Sequence, residues 1–163
     1  MKRQVFFSFE FMKDAWRAGQ IRNMGVVEKN STFSDNDWEE VKSKNDATIK
    51  AWIDNQMRLR SCIVVLIGET TYRRKWVKYE IQRAYELGKG IVGVYVHNLK
   101  DENGKRCDKG ENPFDYIKTA DDEKLSKYIK CYNSPYSDSK AVYDDIAAEI
   151  EDLIEYAIDH PAP

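Results

Sequence analysis

The chain has 163 residues, 42% apolar and 33% charged, with a formal net charge of −2. That length suits one domain with a full core rather than two, and the charge balance excludes a protein held mainly by nucleic-acid phosphates, which needs an excess of Lys and Arg. Three widely spaced cysteines and two histidines, without a C-x-x-C, argue against a disulfide framework or a zinc site. The basic start MKR precedes an apolar run too short for a signal-peptide core. Nothing approaches the roughly 18 apolar residues of a membrane span. The expectation is a cytoplasmic protein with neither membrane nor nucleic acid as partner.

In chain order, residues 4–9 read as a first strand dense in Val and Phe, and residues 14–26 as a helix carrying Ala15, Ala18, Ile21 and Arg22 at helical spacing. Residues 31–33 suggest a short second strand. Asp35 and Asp37 offer N-caps for a helix beginning near Trp38, and Asn45 or Asp46 caps another in which Ile49, Trp52, Ile53 and Met57 recur on one face. Residues 61–67 form a continuous apolar run, the sign of a strand covered on both faces. The helix that follows closes at Gly88, and residues 91–96 are another fully apolar strand. Residues 98–113 read as a long surface loop, 128–132 as an edge-like last strand, and 140–158 as a helix ended by Pro161.

Strands alternating with helices imply a mostly parallel sheet wrapped on both faces. Five short strands in this length favour the flavodoxin-like order 2-1-3-4-5, which brings the carboxyl ends of strands one and three together at the switch point where ligands bind. The whole of 1–163 is then one domain. Gly88-Lys89-Gly90-Ile91-Val92-Gly93 matches a dinucleotide fingerprint as a string, but its helix precedes its strand, the reverse of what pyrophosphate binding needs. A phosphorylatable receiver domain fails too, because Phe-Ser-Phe follows strand one and Gly68 ends strand three where acidic groups are required.

The residues delivered to the switch point carry the chemistry. Trp76-x-x-x-Glu80 puts an indole and a carboxylate one turn apart on a helix whose first turns border the crevice. The plain alternative is a half-buried Trp beside a surface Glu paired with Arg83. Ser8 ends the first strand between Phe7 and Phe9, and Ser8 with the following loop is expected to face the pocket. The turn over residues 68–72, with Thr70 and Tyr72, lines the same opening. Asp35-x-Asp37-Trp38 is either capping with a packed Trp or a lid. The aspartates lack companion oxygens for a metal cage.

Together these residues resemble the TIR-like proteins of bacterial anti-phage defence, specifically the TIR-like signalling subunit of Thoeris systems. The shared pieces are VFFSF, Arg17 with Ile21-Arg22-Asn23, Asp35-x-Asp37-Trp38-Glu39, the block VLIGETTYRRKWVKYEI, then Gly-Ile-Val-Gly-Val and Asn-Pro-Phe-Asp-Tyr. They span about residues 3–117, leaving the strand and helix of 118–160 less recognisable. The resemblance implies a flavodoxin-like, TIR-like three-layer sandwich that cleaves NAD at the nicotinamide–ribose bond. It further implies a signalling nucleotide, often a cyclic ADP-ribose isomer, that activates a separate effector. NAD is a substrate here, with no cofactor or metal implied. The family's catalytic Glu falls on Glu80, its strand-one polar residue on Ser8 and its indole on Trp76. Where many TIR domains have a Tyr after that Ser, this chain has Phe9.

The chemistry agrees with such residues. Breaking an N-glycosidic bond passes through a cationic ribose that a desolvated carboxylate stabilises. Nicotinamide leaves as a neutral base, so one Glu can suffice. Phe9 or Trp38 offers a stacking surface, and Arg17, Arg22 or the helix N-terminus near Thr70 a diphosphate contact. Two other classes stay open: a non-catalytic TIR-like interaction module forming a homo-oligomer or joining an effector, and a nucleoside deoxyribosyltransferase.

Overall fold

The computed structural model describes residues 3–25, 41 and 43–163. The expected strand over 31–33, the Asp35 and Asp37 caps and Trp38 lie outside those residues. The described elements are β1 (Val5–Ser8), α1 (Phe11–Arg22), α2 (Asp46–Arg58), β2 (Cys62–Ile67), α3 (Lys75–Glu86), β3 (Gly90–Tyr95), β4 (Cys131–Tyr132) and α4 (Ser139–Asp159). The four strands are parallel and adjacent in the order β1-β2-β3-β4. β1 and β2 lie in register from Val5 opposite Cys62 to Ser8 opposite Val65, which sets their carboxyl ends side by side.

Every position of β2 and β3 is buried, because helices cover both faces of the sheet. Val5, Phe7, Val64, Leu66, Val92 and Val94 pack with Ala18 and Ile21 of α1 and with Val142, Ile146 and Ile150 of α4. Phe6, Ile63, Val65 and Ile67 point the other way, to Ile49, Ile53 and Met57 of α2 and to Val77, Ile81 and Ala84 of α3. The period-2 alternation of β1 thus divides the chain into three layers.

Local signals explain the boundaries. Asn45 caps α2 by accepting from the Thr48 amide at 2.8 Å, and Asp138 caps α4 by accepting from Ala141 at 3.1 Å. Gly88 follows α3 with φ +68°, a conformation that suits glycine beyond a helix end. α1 begins at Phe11, earlier than the expected Asp14, because the Glu10 carbonyl already accepts from the Asp14 amide at 2.8 Å. Only Phe9 and Glu10 therefore separate β1 from α1. β4 is shorter than the run over 128–132 suggested, pairing with β3 through two residues alone.

The loop over 98–113 is fastened from several sides. The His97 carbonyl accepts from Cys107, Glu69 Oε1 accepts from Asp108, and buried Phe114 anchors its far end. Gly93 sits beneath that anchor: a Cβ there would lie 2.9 Å from Phe114 Cε2 and 2.9 Å from Cys131 Sγ. Gly93→Ala should therefore overpack the centre of the sheet and cost about 1–3 kcal/mol, read as a lower urea midpoint at constant slope.

Candidate active site

A cavity of about 230 Å³ opens where β1 ends beside β2. Phe7, Phe9, Phe11 and Met12 form one wall, and Trp76 and Val77 of α3 the other. Its polar lining is Glu10, Arg74, Lys75 and Glu80. The short link between β1 and α1 places the first wall, and the buried turn after β2 places the second. In that turn Thr71 Oγ1 accepts from the Gly68 amide at 2.8 Å, which fixes the entry to α3.

Glu80 is only 4% exposed although it is ionisable, and it looks into the cavity from the second turn of α3. Its Oε1 accepts from the Ser8 hydroxyl at 2.7 Å. Burial pushes the Glu80 carboxyl up to about 8, against the opposing pull of the Ser8 hydrogen bond. The surface pairing with Arg83 does not form: Arg83 donates to Asp54 at 3.1 Å and to Glu86 at 2.9 Å. Trp76 shares the cavity wall with Glu80 and meets Tyr79 edge-on, at 5.8 Å between ring centroids and 84° between planes.

The other expected residues are placed differently. Ser8 turns toward α3 to meet Glu80, while its neighbours Phe7 and Phe9 form the cavity wall. Thr70 lies just outside, donating to Glu10 Oε2 at 2.5 Å and accepting from Lys13 Nζ at 3.1 Å. The Tyr72 ring stacks on Tyr116 at 5.5 Å, away from the cavity lining, and its hydroxyl accepts from Arg73. Arg22 lies along a separate hollow with Trp16 and Gln20.

Arg17 is buried and its guanidinium makes four hydrogen bonds. It donates to the carbonyls of Leu99 at 2.7 Å, Lys105 at 2.9 Å and Lys13 at 3.3 Å, and to Asp14 Oδ1 at 2.9 Å. It thereby ties the loop over 98–113 to α1 and stands apart from the cavity lining. Beside it, Asp14 Oδ2 has no hydrogen-bond partner and lies under Gly68, where a Cβ would come within 2.2 Å of it. Burial, partly offset by Arg17, pushes the Asp14 carboxyl up to about 6.

The loop after β1 was expected at the pocket, but the pairing of its Glu10 with Arg74 was not, and Met12, Arg74, Lys75 and Val77 join the lining beyond the expected residues. Glu10 is 3% exposed, and its Oε1 accepts from Arg74 Nη2 at 2.5 Å. An acidic residue in a link after a strand looks like a solvated one. Its partner is 64 positions away, so no local pattern pairs them. Among the described residues no three His, Cys, Asp or Glu side chains gather to hold a metal ion, and no helix is long and apolar enough to cross a membrane.

The fold is thus a parallel α/β sheet in which Glu80, on the helix after an inner strand, accepts from the strand-one serine and shares a cavity wall with Trp76. The family model described as Thoeris protein ThsB, TIR-like domain, matches residues 6–101. The chain belongs to that family, and the match runs from β1 through the end of β3, covering Ser8, Trp76 and Glu80. The chain is also 36% identical over 122 residues to "Putative cyclic ADP-D-ribose synthase ThsB1" of Bacillus cereus (strain MSX-D12). The aligned part is 72% of this chain and 64% of that protein, so the chain spans less than two thirds of the relative's length.

Proposed function

We propose that this protein is a cytoplasmic TIR-like signalling enzyme that cleaves the nicotinamide–ribose bond of NAD and turns the ADP-ribosyl part into a nucleotide messenger, of cyclic ADP-ribose type, for a downstream effector. The observation that carries this reading is Glu80: a carboxyl group buried at the wall of an aromatic cavity, held by Ser8, in a chain similar to a protein named for cyclic ADP-ribose synthesis. The cavity, at about 230 Å³, is smaller than the 300–1,000 Å³ typical of pockets for larger ligands. It fits the nicotinamide riboside end of NAD, with the diphosphate and adenosine outside.

In this reading the C1′–N1 bond breaks heterolytically, its electron pair passes to the ring nitrogen, and neutral nicotinamide leaves. Ionised Glu80 stabilises the cationic ribose in a site that excludes water. An adenine nitrogen or a water then attacks C1′ and gives up a proton, which the Glu80 carboxylate is placed to receive. Burial favours protonated Glu80, and arrival of a pyridinium favours the carboxylate, so the substrate draws out the charge that acts on it.

Incubation of the protein with NAD should release nicotinamide and yield a product whose mass separates cyclisation from hydrolysis. No release under any condition, with association into oligomers instead, would favour the interaction-module reading. The acidic form of Glu80 is the inactive one, so kcat/KM should rise with pH through a midpoint near about 8 and level off above it. Ser8 bonding lowers that pKa, and Ser8→Ala should move the midpoint to higher pH and cut the rate about 10-fold at pH 7. A midpoint unmoved by Ser8→Ala would show that another group sets the profile.

A further inference from the structure

Four polar groups at the cavity mouth are linked by hydrogen bonds. Glu10 lines the cavity, accepting from Arg74 Nη2 at 2.5 Å on one oxygen and from the Thr70 hydroxyl at 2.5 Å on the other, with Lys13 Nζ behind Thr70 at 3.1 Å. The two partners differ sharply in exposure: the Glu10 side chain is 3% accessible and that of Arg74 is 52%. A buried carboxylate that loses its cation is costly, while a half-exposed guanidinium is free to meet an anion from solvent. The rest of the lining is the rings of Phe7, Phe9, Phe11 and Trp76 with Met12, Val77, Lys75 and Glu80; aromatic faces attract cations, and Lys75 Nζ already lies 4.8 Å over the Trp76 ring.

An anion alone would draw Arg74 away and strand Glu10. A cation alone would engage Glu10 and strand Arg74 at the mouth. A ligand bringing positive charge into the cavity and negative charge to its rim replaces both halves of the pair at once. We infer that Glu10 and Arg74 are an exchangeable ion pair that selects ligands carrying both charges, Glu10 meeting the pyridinium ribose of oxidised NAD and Arg74 its diphosphate. This rests on the NAD reading and narrows it. NADH keeps the diphosphate without the ring charge, ADP-ribose keeps the diphosphate without the ring, and 1-methylnicotinamide keeps the ring charge without the diphosphate.

The test is equilibrium binding by calorimetry with the full chain carrying Glu80→Gln, so that turnover is slow against the titration. NAD should bind about tenfold tighter than NADH or ADP-ribose, and 1-methylnicotinamide should bind weakly. Adding Glu10→Gln should reduce the NAD-to-NADH ratio to less than about threefold, because NAD binds more weakly and NADH, which no longer strands a carboxylate, binds at least as well as before. Adding Arg74→Met should weaken NAD and ADP-ribose by about fivefold each and flatten the salt dependence of both, with partial recovery in Arg74→Lys. Arg74 is exposed, so its variants test the pair even if Glu10→Gln fails to fold. An unchanged NAD-to-NADH ratio in folded Glu10→Gln, or unchanged ADP-ribose binding in Arg74→Met, overturns the ion-pair exchange and leaves NAD cleavage standing. Failure of the Glu80→Gln protein to bind NAD, with no nicotinamide release by the wild type, overturns both.

Discussion

Glu80→Gln is expected to slow nicotinamide release by at least about 100-fold and, at the same time, to make the fold more stable. The first effect follows from charge. Gln keeps the size and the carbonyl that accepts from Ser8, but it offers no negative charge to a cationic ribose. The second follows from burial. The carboxyl group in the folded protein has its pKa pushed up to about 8 from an ordinary 4.5, so the folded state binds this proton more tightly than the unfolded chain does. Stability from this group is full below the unfolded value and is lost as pH rises toward about 8. At pH 7 most of that loss has occurred, and the neutral amide removes it. A gain of about 2 kcal/mol is expected, appearing as a rise of roughly 4–8 °C in the unfolding temperature and shrinking toward pH 5. Lower stability in Glu80→Gln at neutral pH would show that the carboxylate is compensated in a way this geometry lacks. The combination of lost turnover and gained stability marks a site where function is held at the expense of the fold.

Arg17→Ala should have the largest effect on stability. It removes four hydrogen bonds at once and leaves the carbonyls of Leu99 and Lys105 and the buried Asp14 carboxylate without their donor. Loss of one partner from a buried pair costs about 3–5 kcal/mol, enough to lower the unfolding temperature by roughly 10 °C or more. Its pH dependence has a definite sign. Asp14 already sits at about 6 against an ordinary 3.8, and without Arg17 it rises further. The variant's deficit should therefore be smallest near pH 5, where Asp14 is protonated, and grow toward pH 8. Hydrogen exchange should show the backbone of 98–113 opening first. If the folded variant instead showed wild-type stability and a raised KM for NAD, Arg17 would be a diphosphate contact after all.

These two residues also show what a sequence can and cannot disclose. Trp76 and Glu80 were legible together because residues four apart share a helical face and the apolar run of β2 stops just before them. The burial of Glu80 was not, since its partner Ser8 lies 72 positions away. The described strands and most of the described helices followed from apolar spacing and from caps such as Asn45. An arginine on a helix near the crevice suggests an anion, while the carbonyls that Arg17 bonds come from a loop 82 and 88 residues on, beyond any local pattern. The choice between Ser8 and its neighbours turned on which layer each face of β1 meets, which depends on both covering helices. Glu10 and Arg74 stayed hidden for the same reason, as their pairing arises only when the two crossovers fold together.

The shortness of β4 has a consequence of its own. A terminal strand of only Cys131 and Tyr132 is too short a template for a stranger's backbone to extend. Molecules crowded together on that side should resist zipping into fibrils, and orderly contact between copies there would fall to side chains on the helices.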